Sequence, residues 1–198
     1  MLTSNSGFEV PSWNQVYEIL LELAEQIQAE GFKPDMIVGI SRGGLLPARV
    51  LSDLLEVARI TSVGVEFYVG IYETNSEPCL TQQIPLSILD QKVLLVDDVV
   101  DTGKSALLIK EYLSRQGVRE MRFLTLYYKP WSGIRPDFYS KETSEWIVFP
   151  WEVKETLVKL EKNSEKSNES LERAISRLTG SGVSKELVDR LLKSRSKH

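Results

Sequence analysis

Residues 93–105 have the sequence VLLVDDVVDTGKS, in which a short apolar run leads into two acids and a Thr-Gly-Lys-Ser segment. The run Val93–Val96 has the continuous apolar character of a strand that is buried on both faces of a parallel sheet. A helix is predicted to follow from the end of the motif to about Arg115. The segment therefore predicts a buried strand, a polar turn and a helix.

The chain on either side repeats this strand and helix alternation. The other predicted elements are helices over 11–30 and 45–55, buried strands over 36–40 and 122–128, an alternating strand over 60–68, a returning strand over 80–84 and a short strand over 146–149. Alternation of this kind predicts an α/β fold, with a parallel twisted sheet that is flanked by helices.

Five side chains suited to chemistry come directly after predicted strands. They are Arg42, Asp97, Asp98, Asp101 and Lys129. Ligands of such sheets bind beyond the carboxyl ends of the strands. We therefore expect these residues to share one site.

Composition excludes several classes of function. The 198 residues are 42% hydrophobic and 26% charged, which is typical of one globular domain with a small appendage. The only cysteine is Cys79 and the only histidine is His198, which excludes a disulfide framework, a multi-cysteine zinc site and histidine-based triads. The sequence shows neither a secretory signal nor an apolar run that could span a membrane, so a cytoplasmic location is expected.

Charge is distributed unevenly along the chain. The net charge is −4, but residues 153–198 carry 11 basic and 7 acidic side chains, so the remainder is strongly acidic. An acidic body does not suit duplex DNA, and the basic tail is interpreted as a solvated helical face; no nucleic-acid partner is expected. The tail is predicted to form two short helices, over 171–178 and 183–191, after a polar linker or solvated helix over 161–170. Such a pair is too small for its own core, so we expect it to dock on the main domain or on another subunit.

The residues of the 93–105 segment suggest a ligand. Asp97 and Asp98 could accept hydrogen bonds from vicinal hydroxyls in a strand bend, or hold a divalent cation. Backbone amides at the start of the following helix, together with the Thr102 and Ser105 hydroxyls, form an anion cradle. Gly103 lets the backbone approach a phosphate closely. A diol site beside a phosphate site describes a ribose 5-phosphate.

Two segments resemble the motifs of one family. The sequence over 93–105 resembles the phosphoribosyl-pyrophosphate (PRPP) motif of type I phosphoribosyltransferases, and SRGG at 41–44 resembles their pyrophosphate loop. YYKP at 127–130 and WIVFPWE at 146–152 resemble the base-binding region of the bacterial and archaeal xanthine-guanine and hypoxanthine members. The resemblance covers about residues 12–152. It implies a type I phosphoribosyltransferase domain over 1–152 with a hood over about 64–84, and leaves 153–198 as a helical C-terminal extension.

The resemblance also implies roles for the PRPP-binding residues. The pyrophosphate is expected to bind Ser41, Arg42, Gly43 and Gly44, in a loop where the family often has a non-proline cis peptide. The ribose diol and Mg²⁺, the one cofactor implied, are expected to bind Asp97 and Asp98. The 5′-phosphate is expected to bind Asp101, Thr102, Gly103, Lys104 and Ser105. Asp101 is further implied to be the catalytic residue, exchanging a proton with N7 of the purine, although a helix N-cap is an alternative role for it.

The purine is expected to contact residues further along the chain. Lys129 is implied to donate to the 6-oxo group, Trp146 to stack on the ring, and Ile147 and Glu152 to border the 2-position. Glu152 replaces an aspartate of the resembled enzymes, which leaves the choice between hypoxanthine, guanine and xanthine open. Tyr68 and Tyr72 of the hood are weaker candidates, and a plain hairpin is an equal alternative for that region.

The function implied is transfer of the 5-phosphoribosyl group from PRPP to a 6-oxopurine, giving a nucleoside 5′-monophosphate and pyrophosphate in purine salvage. The alternatives are a phosphoribosyltransferase for another base, such as adenine or a pyrimidine, and a regulatory protein that senses PRPP on the same fold. A homo-oligomer, dimer or tetramer, is expected from the resemblance.

Overall fold

A computed structural model describes residues 7–69, 76–165 and 170–195. The helices in these ranges are α1 (Trp13–Ala29), α2 (Leu45–Leu54), α3 (Lys104–Arg115), α4 (Val153–Ser164), α5 (Leu171–Gly180) and α6 (Lys185–Arg195). The strands are β1 (Phe8–Glu9), β2 (Met36–Ser41), β3 (Ile60–Val69), β4 (Ser76–Gln82), β5 (Lys92–Val100), β6 (Glu120–Tyr128), β7 (Phe138–Glu142) and β8 (Trp146–Ile147). Contacts divide the chain into a sheet unit, residues 17–143, and a terminal unit formed by the described residues of 1–16 and 144–198.

The sheet unit is built on six strands in the order β4-β3-β2-β5-β6-β7. Only β4 runs antiparallel to its neighbour, and the other four pairings are parallel. The apolar runs of β2 and the first half of β5 lie at the centre, where Gly39 pairs with Val96 and both faces are covered. The predicted α/β fold with a parallel sheet flanked by helices is confirmed.

The sheet core is formed by the buried faces of the central strands and of α3. Its fully buried members include Met36, Leu95, Ile109, Leu113 and Phe123. The apolar positions of α3 recur at helical spacing, so they line one face of the helix and pack on the sheet. This packing fixes the beginning of α3 directly beyond the end of β5, where the candidate residues are found.

Three details of the sheet differ from the sequence-based expectations. β5 continues through Asp97 and Asp98 to Val100, because its second half pairs with β6 up to Tyr128, so the strand is longer than the predicted run Val93–Val96. β7 was not predicted, since its exposed, charged residues show no apolar pattern. The second hood strand begins at Ser76, earlier than residue 80.

The terminal unit contains a two-stranded parallel sheet and three helices. β1 pairs with β8, with Phe8 opposite Trp146, so the strand predicted over 146–149 is shorter and joins this small sheet. α4 covers part of the segment predicted to be a linker or a solvated helix, and α5 and α6 confirm the two predicted short helices. No helix was predicted over residues 153–160, where the polar exposed face of α4 masks its apolar positions.

The helices of the terminal unit do not form a separate core. Their buried residues form one cluster with Val148, and Phe8, Val10 and Trp146 pack against it. The other buried members of this cluster are Val153, Leu157, Leu160, Ala174, Leu178, Val183 and Val188. The buried faces of α5 and α6 therefore share one core with α4 and with residues that precede position 153. The domain boundary at 152/153 stays a prediction. Within the described ranges, no helix is long and apolar enough to cross a membrane.

Candidate active site

The loop between β2 and α2 begins the candidate site. Ser41 is the last residue of β2, and the peptide bond that joins it to Arg42 is cis, as the resemblance implied. Arg42 is exposed, and its carbonyl oxygen accepts a hydrogen bond from the Leu45 amide at 3.2 Å. The loop therefore turns directly into the first residue of α2 and leaves the arginine side chain at the surface.

Two glycines let this loop pack against β5. A Cβ atom on Gly43 would lie closer than 3.0 Å to the carboxylate atoms of Asp98. A Cβ atom on Gly44 would lie equally close to the carbonyl oxygen of Val96 and to the backbone of Ile40. Real Cβ atoms essentially never approach so closely. Both positions consequently need glycine for the close approach of the backbone.

Asp97 and Asp98 point to opposite faces of β5, because successive residues of a strand alternate. Asp98 is buried, with 5% of its surface exposed, and its Oδ1 accepts a hydrogen bond from the Val99 amide at 2.8 Å. Its carboxylate lies against Gly43. Asp97 instead lines a cavity. The structure thus separates the two acids: one lies behind the 41–44 loop, and the other faces the space where a ligand can bind.

That cavity has a volume of about 400 Å³, which is within the range of small-molecule sites. It is lined by Phe67, Asp97, Val99, Val100, Asp101, Thr102, Gly103, Ser105 and Ala106. The lining brings together Asp97 and four of the five residues predicted to hold the 5′-phosphate. The sequence motif therefore folds into the wall of one concave surface.

The beginning of α3 forms one side of the cavity. The N-cap residue is Gly103, in the left-handed region with φ of 85°, and the Lys104 amide donates to Oγ1 of Thr102 at 3.4 Å. The N–H groups of a first helical turn have no partner within the helix and attract anions. Asp101 is therefore not the N-cap, and the amides near Ser105 are placed to bind a phosphate.

The loop that follows β6 is fastened to the loop that follows β5. The Lys129 amide donates to the Val100 carbonyl at 2.9 Å, and the Gly133 amide donates to the Thr102 carbonyl at 3.1 Å. A Cβ atom on Gly103 would lie 2.6 Å from Cγ2 of Ile134, so the two loops are also in close steric contact. Lys129 and the phosphate loop thus belong to one rigid arrangement.

Within that arrangement, the Asp101 carboxylate has a defined partner. Its Oδ1 accepts a hydrogen bond from Nε1 of Trp131 at 2.7 Å. Nζ of Lys129 lies 5.6 Å from the centroid of the Trp131 ring. Lys129 itself is only 8% exposed. The two residues predicted to act on the purine are therefore linked through one indole.

The strand end that carries Lys129 is stabilised by its neighbour, Tyr128. The Tyr128 hydroxyl donates a hydrogen bond to the Glu142 carboxylate on β7. This hydrogen bond, with further contributions from burial and from the negative charge of Glu142, raises the pKa of Tyr128 to about 12. The Tyr128 ring also packs edge-on against Tyr139, with 4.7 Å between centroids. The last residue of β6 is consequently held on two sides.

The hood region forms an antiparallel hairpin from β3 and β4. Phe67 of β3 lines the cavity, and Glu77 of β4 forms an ion pair with Lys104, 2.6 Å from its Nζ. Lys104, predicted to bind phosphate, is thus engaged by the hood in this structure. Tyr72 and the side chain of Tyr68 lie outside the described residues.

The remaining predicted site residues belong to the terminal unit. Trp146 and Ile147 form β8, and the Trp146 ring lies 5.9 Å from that of Phe8. Glu152 precedes α4, and its carbonyl oxygen accepts a hydrogen bond from the Thr156 amide. The geometry described above for the phosphate, diol and lysine positions is that of the sheet unit alone.

Phe67, Glu77 and Trp131 were not among the predicted site residues. Trp131 is two residues beyond Lys129, and the sequence could have drawn attention to it as an aromatic residue in a polar loop. Phe67 and Glu77 carry weaker signals, because their positions depend on how the hairpin folds over the phosphate loop. In each case the missing information was the contact between loops that are distant in sequence.

The acids of the cavity suit a magnesium ion of the kind that binds with its substrate. In the described ranges there is no group of three or more His, Cys, Asp or Glu side chains that could enclose a metal. Mg²⁺ is usually held by one or two carboxylates together with phosphate oxygens. Asp97, a hard oxygen ligand in the cavity wall, fits this mode of binding.

Comparison with known proteins agrees with these features. The family described as "Phosphoribosyl transferase domain" matches residues 10–156. Xanthine-guanine phosphoribosyltransferase of Cereibacter sphaeroides is 32% identical over 159 residues, which cover 77% of this chain and 90% of the relative. The enzyme of the same name from Idiomarina loihiensis is 33% identical over 154 residues, covering 76% and 89%.

A solved structure shows the same likeness in three dimensions. The purine phosphoribosyltransferase of Pyrococcus horikoshii is 37% identical and has a TM-score of 0.67, with 73% of this chain and 93% of the other covered. The matched family range includes the 41–44 loop, the whole of β5 and the phosphate loop. By its sequence, its sheet and the motif at the end of β5, this chain belongs to the phosphoribosyl transferase domain family.

Proposed function

We propose that this protein is a purine phosphoribosyltransferase, which transfers the 5-phosphoribosyl group of PRPP to hypoxanthine, guanine or xanthine. The observation that carries the proposal is a cavity in which Asp97, Asp101 and the beginning of α3 meet. The backbone of the buried Lys129 is hydrogen-bonded to Val100 in the wall of that cavity. The relatives at 32–37% identity are xanthine-guanine and purine phosphoribosyltransferases, which supports the purine class.

The PRPP end of the reaction uses charge and backbone amides. The 5′-phosphate binds the amides of α3 near Ser105, where the helix dipole favours an anion. The pyrophosphate binds the 41–44 loop, whose exposed Arg42 supplies a bidentate cation. Asp97 accepts hydrogen bonds from the ribose diol. Asp98 lies behind the loop and determines where its backbone rests against β5.

In the chemical step, the bond from C1 of the ribose to pyrophosphate breaks, and a bond from C1 to N9 of the purine forms. The purine loses one proton from N7, and the Asp101 carboxylate accepts it. The nucleotide and pyrophosphate leave, and the proton then passes to water. Lys129 has only donors, so it recognises the 6-oxo group and disfavours a 6-amino group. Trp146, Ile147 and Glu152 are proposed to complete the purine site.

Mg²⁺ is proposed as the cofactor, and when bound it neutralises charge on the leaving pyrophosphate. Asp97 would hold it from the cavity wall. Asp98, which the resemblance implied as a second ligand, lies against Gly43 on the other face of β5, so its proposed role is to position the loop. The β3–β4 hairpin, through Phe67, covers the cavity and limits the access of water to the reacting sugar.

The test is a direct assay with purified protein, PRPP and Mg²⁺, in which each base is offered separately. Nucleotide formation from at least one oxopurine, and little from adenine, is the expected result. Asp101→Asn should lower kcat by about 10²-fold or more, because a positioned general base contributes that much. Asp189→Asn, a matched change on exposed α6, should not alter it. Binding of PRPP with no product from any base would overturn the proposal and favour a PRPP sensor.

Two broader expectations accompany the proposed function. A homo-oligomer, dimer or tetramer, is proposed from the resemblance to the family, and light scattering of the purified chain would test it. A cytoplasmic location is proposed on the same basis.

A further inference from the structure

The loop that carries Trp131 is held at both ends by the loop that carries Asp101. The backbone hydrogen bond between Lys129 and Val100 closes one end, and the hydrogen bond from Gly133 to Thr102 closes the other. One loop thus contributes the single residue 101 between its two attachment points, and the other contributes residues 130–132. We call the two spans and their two backbone hydrogen bonds the loop frame. Within it, the residue at the centre of each span, Asp101 or Trp131, faces the other span.

Trp131 occupies the centre of the longer span and contacts a reactive residue with each of its two functional parts. Its indole N–H donates to Oδ1 of Asp101 at 2.7 Å, and its ring lies 5.6 Å from the ammonium of Lys129. The side chain is nevertheless 56% exposed, so its burial in a core does not account for its position. The indole N–H and the π face of the ring thus contact two different neighbours.

We propose that Trp131 is a positioning residue for phosphoribosyl transfer, holding the Asp101 carboxylate through its indole N–H and the Lys129 ammonium through its ring. This inference rests on the proposed function. In this role Trp131 acts through its contacts with Asp101 and Lys129, the two residues proposed to act on the purine.

The donor character of the indole gives this contact a chemical consequence. An indole N–H can donate but not accept, so the Oδ1 atom of Asp101 stays an acceptor throughout the reaction. The proton from the purine must then arrive at Oδ2. Trp131 thereby selects which oxygen of the carboxylate receives the proton. The ring contact independently adds a restraint on the position of the Lys129 ammonium.

Two substitutions separate the two contacts. Trp131→Phe keeps a ring below Lys129 but removes the N–H donor, whereas Trp131→Ala removes both. For the Phe variant we expect about a tenfold lower kcat, an unchanged KM for PRPP and an unchanged ratio of oxopurine to adenine activity, since misplacing a catalytic group lowers the rate of the chemical step. For the Ala variant we expect the same loss in kcat and, in addition, a several-fold lower ratio.

The matched control is Trp13→Phe, which alters another exposed tryptophan outside the loop frame and should leave kcat and base preference unchanged. Thermal unfolding of each variant shows whether the fold is intact. A fully active, folded Trp131→Phe variant would overturn the inference while leaving the proposed function standing. A purely structural role would lower stability or all kinetic constants together. It would not leave the ratio of oxopurine to adenine activity unchanged in Trp131→Phe while lowering it in Trp131→Ala.

A readout that needs no activity is the ¹H–¹⁵N signal of the Trp131 indole, assigned by its loss in Trp131→Phe. Asp101→Ala should shift this signal strongly, and Asp189→Asn should not. An indole signal that is unaffected by Asp101→Ala overturns the inference, whatever the assay shows. A wild-type protein that transfers to no base overturns the proposed function instead, and the positioning role falls with it even if the indole contact is present.

Discussion

Replacing Gly43 by alanine tests whether the 41–44 loop is positioned by the buried carboxylate behind it. The new Cβ would lie closer than 3.0 Å to the Asp98 carboxylate atoms, whereas ordinary contacts begin at 3.4 Å. Either the loop or the carboxylate must therefore move, by about 1 Å if atoms are to reach their optimal separation. Gly43 is not among the residues with positive φ, so the effect is one of space and not of backbone conformation.

The expected cost follows from what this movement disturbs. Overpacking costs roughly 1–3 kcal/mol, and weakening the part-buried hydrogen bond that the Asp98 carboxylate accepts from the Val99 amide adds about 1 kcal/mol. A total of about 2–4 kcal/mol lowers Tm by roughly 4–16 °C in a chain of this size. Displacement of the pyrophosphate loop by about 1 Å should also lower kcat/KM by about 10²-fold.

The assay is a double-mutant cycle measured by urea unfolding and by turnover. In an Asp98→Ala background the clash is absent, so Gly43→Ala should cost much less, with a coupling free energy of about 2 kcal/mol. Gly180→Ala is the matched control, because nothing lies within 4 Å of its new Cβ, and it should be neutral or slightly stabilising. Equal costs for Gly43→Ala in both backgrounds would refute the steric argument.

Three further perturbations test other parts of the structure. Because the hydrogen bond to Glu142 raises the pKa of Tyr128 from 10.0 to about 12, the neutral phenol contributes stability below about pH 10, and this contribution is lost as the pH rises towards 12. The difference in unfolding free energy between wild type and Tyr128→Phe should accordingly be constant below pH 10 and shrink above it; a difference that grows with pH would contradict the assignment. Asp97→Asn should raise the Kd for PRPP by about tenfold, since a charged acceptor of the diol becomes neutral; titration calorimetry with PRPP and Mg²⁺ measures this directly, and unchanged affinity would remove Asp97 from the site. Leu178→Ala should destabilise the chain by about 2–5 kcal/mol, because Leu178 is fully buried in the terminal-unit core, whereas Leu187→Ala, at a half-exposed position, should cost much less; comparable losses in urea unfolding would contradict that packing.

The fold could be predicted largely because its central strands are buried on both faces. The apolar runs of β2 and β5 show that burial directly in the sequence, and the glycines after β2 mark the loop. β7 and α4 were missed for the opposite reason. Their outward faces are rich in charged residues, so composition outweighs the apolar positions, and only pairing or packing with distant segments reveals the element.

The candidate site was predictable as a set of residues but not as an arrangement. The motif at the end of β5 predicted that Asp97 and Asp98 would lie together. It did not predict that strand pairing with β6 continues past them and directs them to opposite faces. Similarly, Trp131 is near Lys129 in sequence, but its contact with Asp101 depends on two backbone hydrogen bonds between separate loops. Long-range backbone pairing is the information that a local pattern lacks.

The paired attachment of the two loops limits how this chain can change during evolution. Val100 and Thr102 are separated by one residue, and their partners Lys129 and Gly133 by three. An insertion or deletion within either span would put one attachment out of register, so each loop can tolerate exchanged side chains far better than altered length. New base preferences in descendants of this chain should therefore arise by point substitution at positions such as 131, and changes in loop length should be confined to segments outside the frame.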